Sequence, residues 1–188
     1  INGAWGGRAS KDGIEGVTNP SQNMSNMPIE TLESRYPIRV ETYGLREDSC
    51  GPGEHRGGLG LVRQYRLLAD DAVLQLRADR AKIPPYGLRG GGPAAPSRNI
   101  LDPDGRAEEV PSKITRNVRK GDVIRHEQAG GGGYGDPLIR DPDLVAVDVA
   151  DEKISRKFAE ENFGVVIQPG EAQPDLAATE VCRARLRS

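Results

Sequence analysis

Glycine constrains this chain more than any other residue. Residues 127–137 read EQAGGGGYGDP, and the stretches SCGPGEHRGGLG at 49–60 and YGLRGGGP at 86–93 repeat the enrichment. A residue without a Cβ adds no apolar side chain to a core. It lets the backbone enter left-handed conformations, or pack closer than any side chain would allow. With 24 glycines, 14 prolines, 4% aromatic residues and a mean hydropathy of −0.59, the chain is loop-rich and poor in core formers. Its 188 residues suit one domain, or one large and one small, whose fold a partner surface would help complete.

Gly130, Gly132 and Gly135 satisfy the G-x-G-x-x-G spacing of a dinucleotide loop. That loop must lie between a strand and a long helix, whose N-terminal amides meet the pyrophosphate. A strand can precede it at 123–126, but only LIR follows Asp136-Pro137 before Asp141-Pro142 restarts the chain. No G-x-x-x-x-G-K-[ST] occurs either, so a nucleotide site is not expected here. Two readings stay open. The glycines serve close packing, or the bare amides of Gly131, Gly132 and Gly133 line a pocket for a carboxylate, phosphate or oxyanion, with Tyr134 as cover or anchor.

The rest of the chain reads as α+β, mainly β: short antiparallel strands, long Gly/Pro-rich loops and a small helical C-terminal part. Residues 1–36 are an irregular N-terminal segment with one helical turn at 29–35, stopped by Tyr36-Pro37. Residues 37–135 form the β-rich body. PIRVETYGL, GLVRQYRLLA and AVLQLRADR have strand periodicity, with Asp70-Asp71 as a tight hairpin turn between the last two. NILDPDGRAEEV is strand, turn and returning strand, and a turn at Gly121-Asp122 leads into a strand through 128. Residues 136–167 hold two short helices, one begun by Asp141-Pro142 and one between Ser155 and Gly164, then a last strand at VVI. A tail, 168–188, ends in an exposed helix.

Net charge is −2, so nothing draws the chain to nucleic acid or to an anionic membrane. No apolar run approaches the ~20 residues of a membrane span, and no signal peptide is visible. Cys50 and Cys182 are far apart and read as reduced thiols of a cytoplasmic protein. An opening of INGAWGGR without methionine reads as a processed product, a cleaved fragment or the ordered part of something longer.

Several residues could carry chemistry. Glu30 and Glu33 share a face of the turn at 29–35, and paired carboxylates serve acid–base work; with Asn26 they could equally cap that helix. Arg80, with Tyr86, offers a fork for an anionic group, or pairs with Asp79 at the surface. His126, on the strand before the glycine run, is a possible general base or an ordinary half-buried residue. His55 reads as structural, and two histidines this far apart make no metal motif.

The order of blocks carries more than any one of them. NMSNMPIETLESRYPIRVETYGLREDS, GPGEHRGGLGLVRQYR, ADRAKIPPYGLRGGGPAAPS, then PSK, GDVI, AGGGGYGDPLIRDPDLVAVDVADEKIS and FGVV follow one another. Over roughly Asn2 to Ile167 this resembles the C-terminal third of the hydantoinase B/5-oxoprolinase family, which includes subunits of acetone and acetophenone carboxylases. The resemblance implies a B-type subunit paired with an A-type subunit of the actin-like ATPase superfold. The A-type subunit binds ATP and Mg and phosphorylates a substrate oxygen; the B-type subunit receives the activated intermediate. A cyclic amide is then opened by water or, in the carboxylases, an enolate joins activated bicarbonate. Any divalent metal is implied on the N-terminal part of the B-type subunit, so no metal ligand is carried onto this chain. The expected partners are the A-type subunit and that N-terminal part, in a hetero-oligomer. Under this resemblance Glu33 and His126 are the catalytic candidates. Asn26, Glu30, Arg80, Tyr86, Gly131, Gly132, Gly133 and Tyr134 are candidates for binding substrate or intermediate. The alternatives are a ketone carboxylase subunit and a purely structural assembly module. Family members usually have Gly or Ser where Cys50 stands, which raises the idea of a reactive thiol.

Overall fold

Most of the alternating segments become strands, but the chain pairs them differently from the expected hairpins. The computed structural model describes residues 3–17, 21 and 24–188. The irregular segment expected over 1–36 includes 1, 2, 18–20, 22 and 23, which lie outside the described residues. Among those described, the elements run α1 (Ile29–Arg35), β1 (Ile38–Leu45), β2 (Leu61–Leu67), β3 (Asp71–Arg77), β4 (Arg98–Leu101), β5 (Glu108–Glu109), β6 (Lys113–Arg119) and β7 (Val123–Glu127). A 3-10 turn (Pro137–Ile139) and helices α2 (Pro142–Ala150), α3 (Arg156–Phe163) and α4 (Leu176–Arg187) complete the chain. The fold is α+β with antiparallel sheets and a helical C-terminal part, as its residue pattern implies.

A five-stranded sheet has the order β1-β2-β7-β4-β5, and β3 pairs with β6 alone. Register explains how the two sheets relate. β2 lies against β7 from Val62↔Glu127 to Arg66↔Val123, and β3 lies against β6 from Asp71↔Arg119 to Arg77↔Lys113. The two segments 61–77 and 113–127 are therefore one long antiparallel ribbon with a one-residue offset midway. Across the bend, the Gly121 N–H donates to Leu67 O (2.9 Å) and the Leu67 N–H to Asp122 O (2.9 Å). The tight hairpin expected at Asp70-Asp71 is thus this bend, and β2 and β3 do not pair with each other. Its turn-forming residues do interrupt the strand, and Gly121 opposite takes φ 91° to match. Each half of the ribbon finds its partner some fifty residues away, which local turn chemistry cannot reveal.

The glycine segments form a bundle in which backbone packs on backbone. Consecutive residues of 130–134 bond to three different stretches of chain, at 7, 51–58 and 88–95. The Gly130 N–H donates to Ala95 O (3.3 Å), Gly131 N–H to Gly58 O (2.8 Å) and Gly133 N–H to Gly92 O (3.0 Å). Gly131 O accepts from Gly51 (2.8 Å), Gly132 O from Gly7 (2.8 Å), and Tyr134 exchanges both bonds with His55 (2.9 and 3.0 Å). Side chains would prevent this. A Cβ on Gly131 would sit 2.0 Å from Trp5 O, and one on Gly57 1.7 Å from Gly131 O. Glycines at the axis of collagen obey the same steric rule.

The apolar core lies between this bundle and the C-terminal helices. Cys50 and Leu59 meet Val145, Ala146, Ile154, Ala159, Phe163, Val165 and Ile167. The caps anticipated from sequence hold the helices. Asp141 accepts from the Asp143 N–H with Pro142 at the first helical position, Ser155 accepts from the Phe158 N–H, and Gly164 closes α3 at φ 62°. Residues 165–167, expected as a last strand, are not in one: the Val165 N–H closes on Ala159 O and the Val166 N–H on Thr179 Oγ1 (both 3.1 Å). α4 exposes most of its surface and docks through buried Thr179 and Cys182.

A buried ionic cluster ties the N-terminal segment, the bundle and α2 together. Asp148 bridges Arg56 (2.9 Å) and Arg140 (2.8 Å), Arg140 also grips both oxygens of Asp12, and Arg56 reaches Glu15. Burial works against the Asp12 carboxylate, but the Arg140 and Arg56 guanidiniums hold it below the usual range. Cys50 is fully buried in the core, and burial pushes its thiol up to about 12, so it is not a reactive nucleophile.

Candidate functional site

The bent ribbon leaves a concavity between its outer half and the five-stranded sheet. The cavity is about 1050 Å³. Its floor is one face of the sheet, carrying Arg63, Tyr65, Asn99, Ile124 and His126. Residues 74–79 form one wall, the glycine bundle at 129–133 another, and Arg80, Pro85, Tyr86 and Leu88 the mouth.

Strand register assembles the floor. Tyr43 lies opposite Arg63, Arg63 opposite His126, and His126 opposite Asn99. Directly opposed residues project from the same face with Cβ atoms about 5 Å apart, so four strands deliver one row of side chains, Tyr43–Arg63–His126–Asn99. His126 Nδ1 is 2.6 Å from Oδ1 of Asn99, which is buried at 1% exposure. An amide oxygen only accepts, so Nδ1 carries the proton and Nε2 keeps its lone pair. Burial and the Arg63 charge press the imidazole below its ordinary 6.5, so the neutral, proton-accepting form prevails at neutral pH.

Of the residues singled out in the sequence, His126, Arg80, Tyr86, Gly131, Gly132 and Gly133 line this one cavity. Arg80 stands at the mouth in a left-handed conformation, φ 62°. Tyr86 is 70% exposed there. Gly131 and Gly133 form wall rather than donors, because their N–H groups are already spent inside the bundle. Tyr134 lies outside the lining and forms backbone bridges to His55 and Leu88. Asn26 reaches the site indirectly, accepting from Arg63 (2.5 Å). Glu33 does not line the cavity. Its carboxylate accepts the Val40 N–H (2.7 Å) and ties α1 to β1. Glu30 is exposed in the first turn of α1, where its charge suits the helix dipole.

Reading the sequence missed Asn99, Arg63 and Tyr65. Nothing local marks them, since the row joins residues 43, 63, 99 and 126 only through register. Among the described residues no group of three or more His, Cys, Asp or Glu could hold a metal ion, and no helix is long and apolar enough to cross a membrane.

Comparison with known proteins bears on this geometry. The family model described as hydantoinase B/oxoprolinase matches residues 1–137. An uncharacterized protein of Methanocaldococcus jannaschii is 44% identical over 142 residues, covering 76% of this chain and 25% of that protein. The B-type subunit of a putative D-/L-hydantoinase from a Pseudomonas species is 37% identical over 174 residues, covering 91% and 29% respectively. The crystal structure of the ATP-dependent caprolactamase from Pseudomonas jessenii superposes with a TM-score of 0.84 at 28% identity, over 96% of this chain and 32% of that one. The chain thus spans between a quarter and a third of the length of these three relatives.

Proposed function

Because this chain belongs to the hydantoinase B/oxoprolinase family, we propose that it is part of the B-type subunit of an ATP-dependent cyclic-amide hydrolase. In this reading it works in the cytoplasm, in a hetero-oligomer with an actin-like A-type ATPase that holds ATP and Mg and phosphorylates the amide oxygen. The rest of the B-type polypeptide closes the cavity. The observation that carries the reading is the His126–Asn99 pair on the cavity floor: a neutral imidazole with its tautomer set by a buried amide.

The chemistry follows from that pair. As water adds to the carbon of the O-phosphorylated amide, its oxygen bonds to carbon while the C=N π pair moves to nitrogen, and its proton passes to His126 Nε2. The imidazolium returns that proton to the ring nitrogen as the C–N bond breaks, and a second water hydrolyses the acyl phosphate so formed to carboxylate and phosphate. Asn99 Oδ1 keeps the ring oriented and stabilises the imidazolium that forms. Arg80 at the mouth supplies positive charge to an anionic intermediate, Tyr86 covers the entrance, and the glycine wall lets the ligand approach the backbone closely. Asn26 and Glu33 act at one remove, Asn26 on Arg63 and Glu33 on the α1–β1 junction.

The test is ATP turnover by the assembled complex with hydantoin, 5-oxoproline or caprolactam, against acetone or acetophenone with bicarbonate. Turnover with a ring amide that falls steeply in His126→Gln supports the reading. Turnover with ketone and bicarbonate instead makes this a carboxylase subunit. Full amide turnover in His126→Gln and Arg80→Ala complexes makes the chain an assembly module.

A further inference from the structure

Arg63 stands apart from the other arginines of β2, β4 and β7, the strands that carry the cavity floor. On β2, β4 and β7, Arg66 pairs with Glu41, Arg98 with Glu109, and Arg125 with Glu127. Arg63 meets only neutral groups. Its guanidinium lies 4.1 Å over the Tyr43 ring, one terminal nitrogen donates to the Tyr65 hydroxyl (3.1 Å), and the other donates to Asn26 Oδ1. No carboxylate among the described residues forms an ion pair with it. A guanidinium has five N–H donors in a planar fork, and these contacts use two of them. It is oriented on three sides, keeps donors free, lines the cavity and sits beside His126 in the row.

From this geometry we infer that Arg63 is the anion-recognising residue of the cavity, holding a carboxylate or phosphoryl oxygen pair next to the imidazole of His126. The inference rests on the proposed function for the identity of the ligand, but not for the existence of the site. Neutral partners hold the cation in place without cancelling its charge, which leaves that charge for a ligand. The stacking ring and the two acceptors restrict the fork before the ligand arrives, so little ordering is left to binding. A bound anion would also offset the charge that depresses His126, making the base stronger when the site is filled.

Two sources of the anion are chemically equivalent at Arg63: a carboxylate on the ring substrate, as in 5-oxoproline, or the phosphoryl group of the activated intermediate. The experiment uses the assembled complex with histidine labelled at the ring carbon between the two nitrogens. The His126 resonance is identified by its loss in His126→Gln. Inorganic phosphate and 5-oxoproline are then titrated separately into wild type, Arg63→Gln and Arg63→Lys.

At least one anion is expected to shift the His126 signal in wild type and to raise its titration midpoint. Binding should weaken about 10- to 100-fold in Arg63→Gln and less in Arg63→Lys, the range for losing a charge-assisted bidentate contact. If the carboxylate is the ligand, KM for 5-oxoproline rises by the same factor in Arg63→Gln while KM for neutral caprolactam is unchanged. If the phosphoryl group is the ligand, phosphate gives the shift and kcat falls for both rings. The inference is overturned if neither anion moves the wild-type signal, or if Arg63→Gln responds with an unchanged midpoint. Should Arg63→Gln fail to assemble, the wild-type titrations and Arg63→Lys still decide. A His126 response that depends on Arg63 in a complex that turns over no ring amide would sink the hydrolase reading and leave the anion site standing.

Discussion

The glycine bundle and the floor of the cavity lie side by side and are held by opposite means. In the bundle, hydrogen bonds run from each short stretch to several others, side chains are excluded, and Gly130 through Gly133 are all buried. On the five-stranded sheet, β1 buries no residue completely, and the floor presents charged and polar side chains to the cavity. The first region is complete in itself. The second sets guanidinium donors beside one acceptor nitrogen on the cavity floor. Rigidity here comes from backbone contact, and function is carried by side chains placed against that rigid wall.

Perturbing each region should therefore give different signatures. The largest effect is expected from Gly131→Ala. Its Cβ would lie 2.0 Å from Trp5 O, a backbone atom that cannot move alone, so no native complex should survive, by thermal melting and by yield. Asp148→Asn comes next. It leaves Arg56 and Arg140 buried without the one carboxylate they share, and should cost about 3–5 kcal/mol in denaturant unfolding. His126→Gln should do the reverse, lowering kcat by about 100- to 10,000-fold while the melting temperature hardly moves. If it unfolds the complex instead, the contrast between the regions fails.

A pH profile sharpens the contrast. The folded pKa of His126 lies below its ordinary 6.5, so the acid limb of kcat/KM should fall below pH 6.5 and move up in Arg63→Gln, which removes a depressing charge. The linked stability change has a definite sign. Below pH 6.5 the unfolded chain takes up a proton that the folded chain does not, so His126 lowers stability as pH falls towards its folded pKa and has no effect above 6.5. The smallest effect is expected from Gly44→Ala on β1. Nothing lies within 4 Å of the added Cβ, and the change should stay within about 1 kcal/mol, on the stabilising side.

Much of the local structure was legible before any coordinates. The caps at Asp141, Ser155 and Gly164 are there because short polar side chains and a residue free to take positive φ satisfy helix ends wherever they occur. Alternation in IRVETYGL and DAVLQLR marked strands for the same local reason. The pairing was not legible. Asp70-Asp71 has the chemistry of a hairpin turn, yet both flanking strands prefer partners from 113–127, and the dipeptide merely bends a ribbon. His126 could be picked out by its residue type and its place before the glycines. Asn99 and Arg63 could not, because asparagine and arginine are common and their relation to His126 exists only across strands.

What the amino-acid order determined alone is where backbone can touch backbone: glycines at 51, 57, 87, 91 and 130–133 carry no side chain to keep the segments apart. Family membership, too, is written in the order of its blocks. What only the tertiary structure decided is which side chains meet. A register of hydrogen bonds between distant strands brings residues 43, 63, 126 and 99 into one row, and a shift of one residue in any pairing would turn a member of that row to the opposite face.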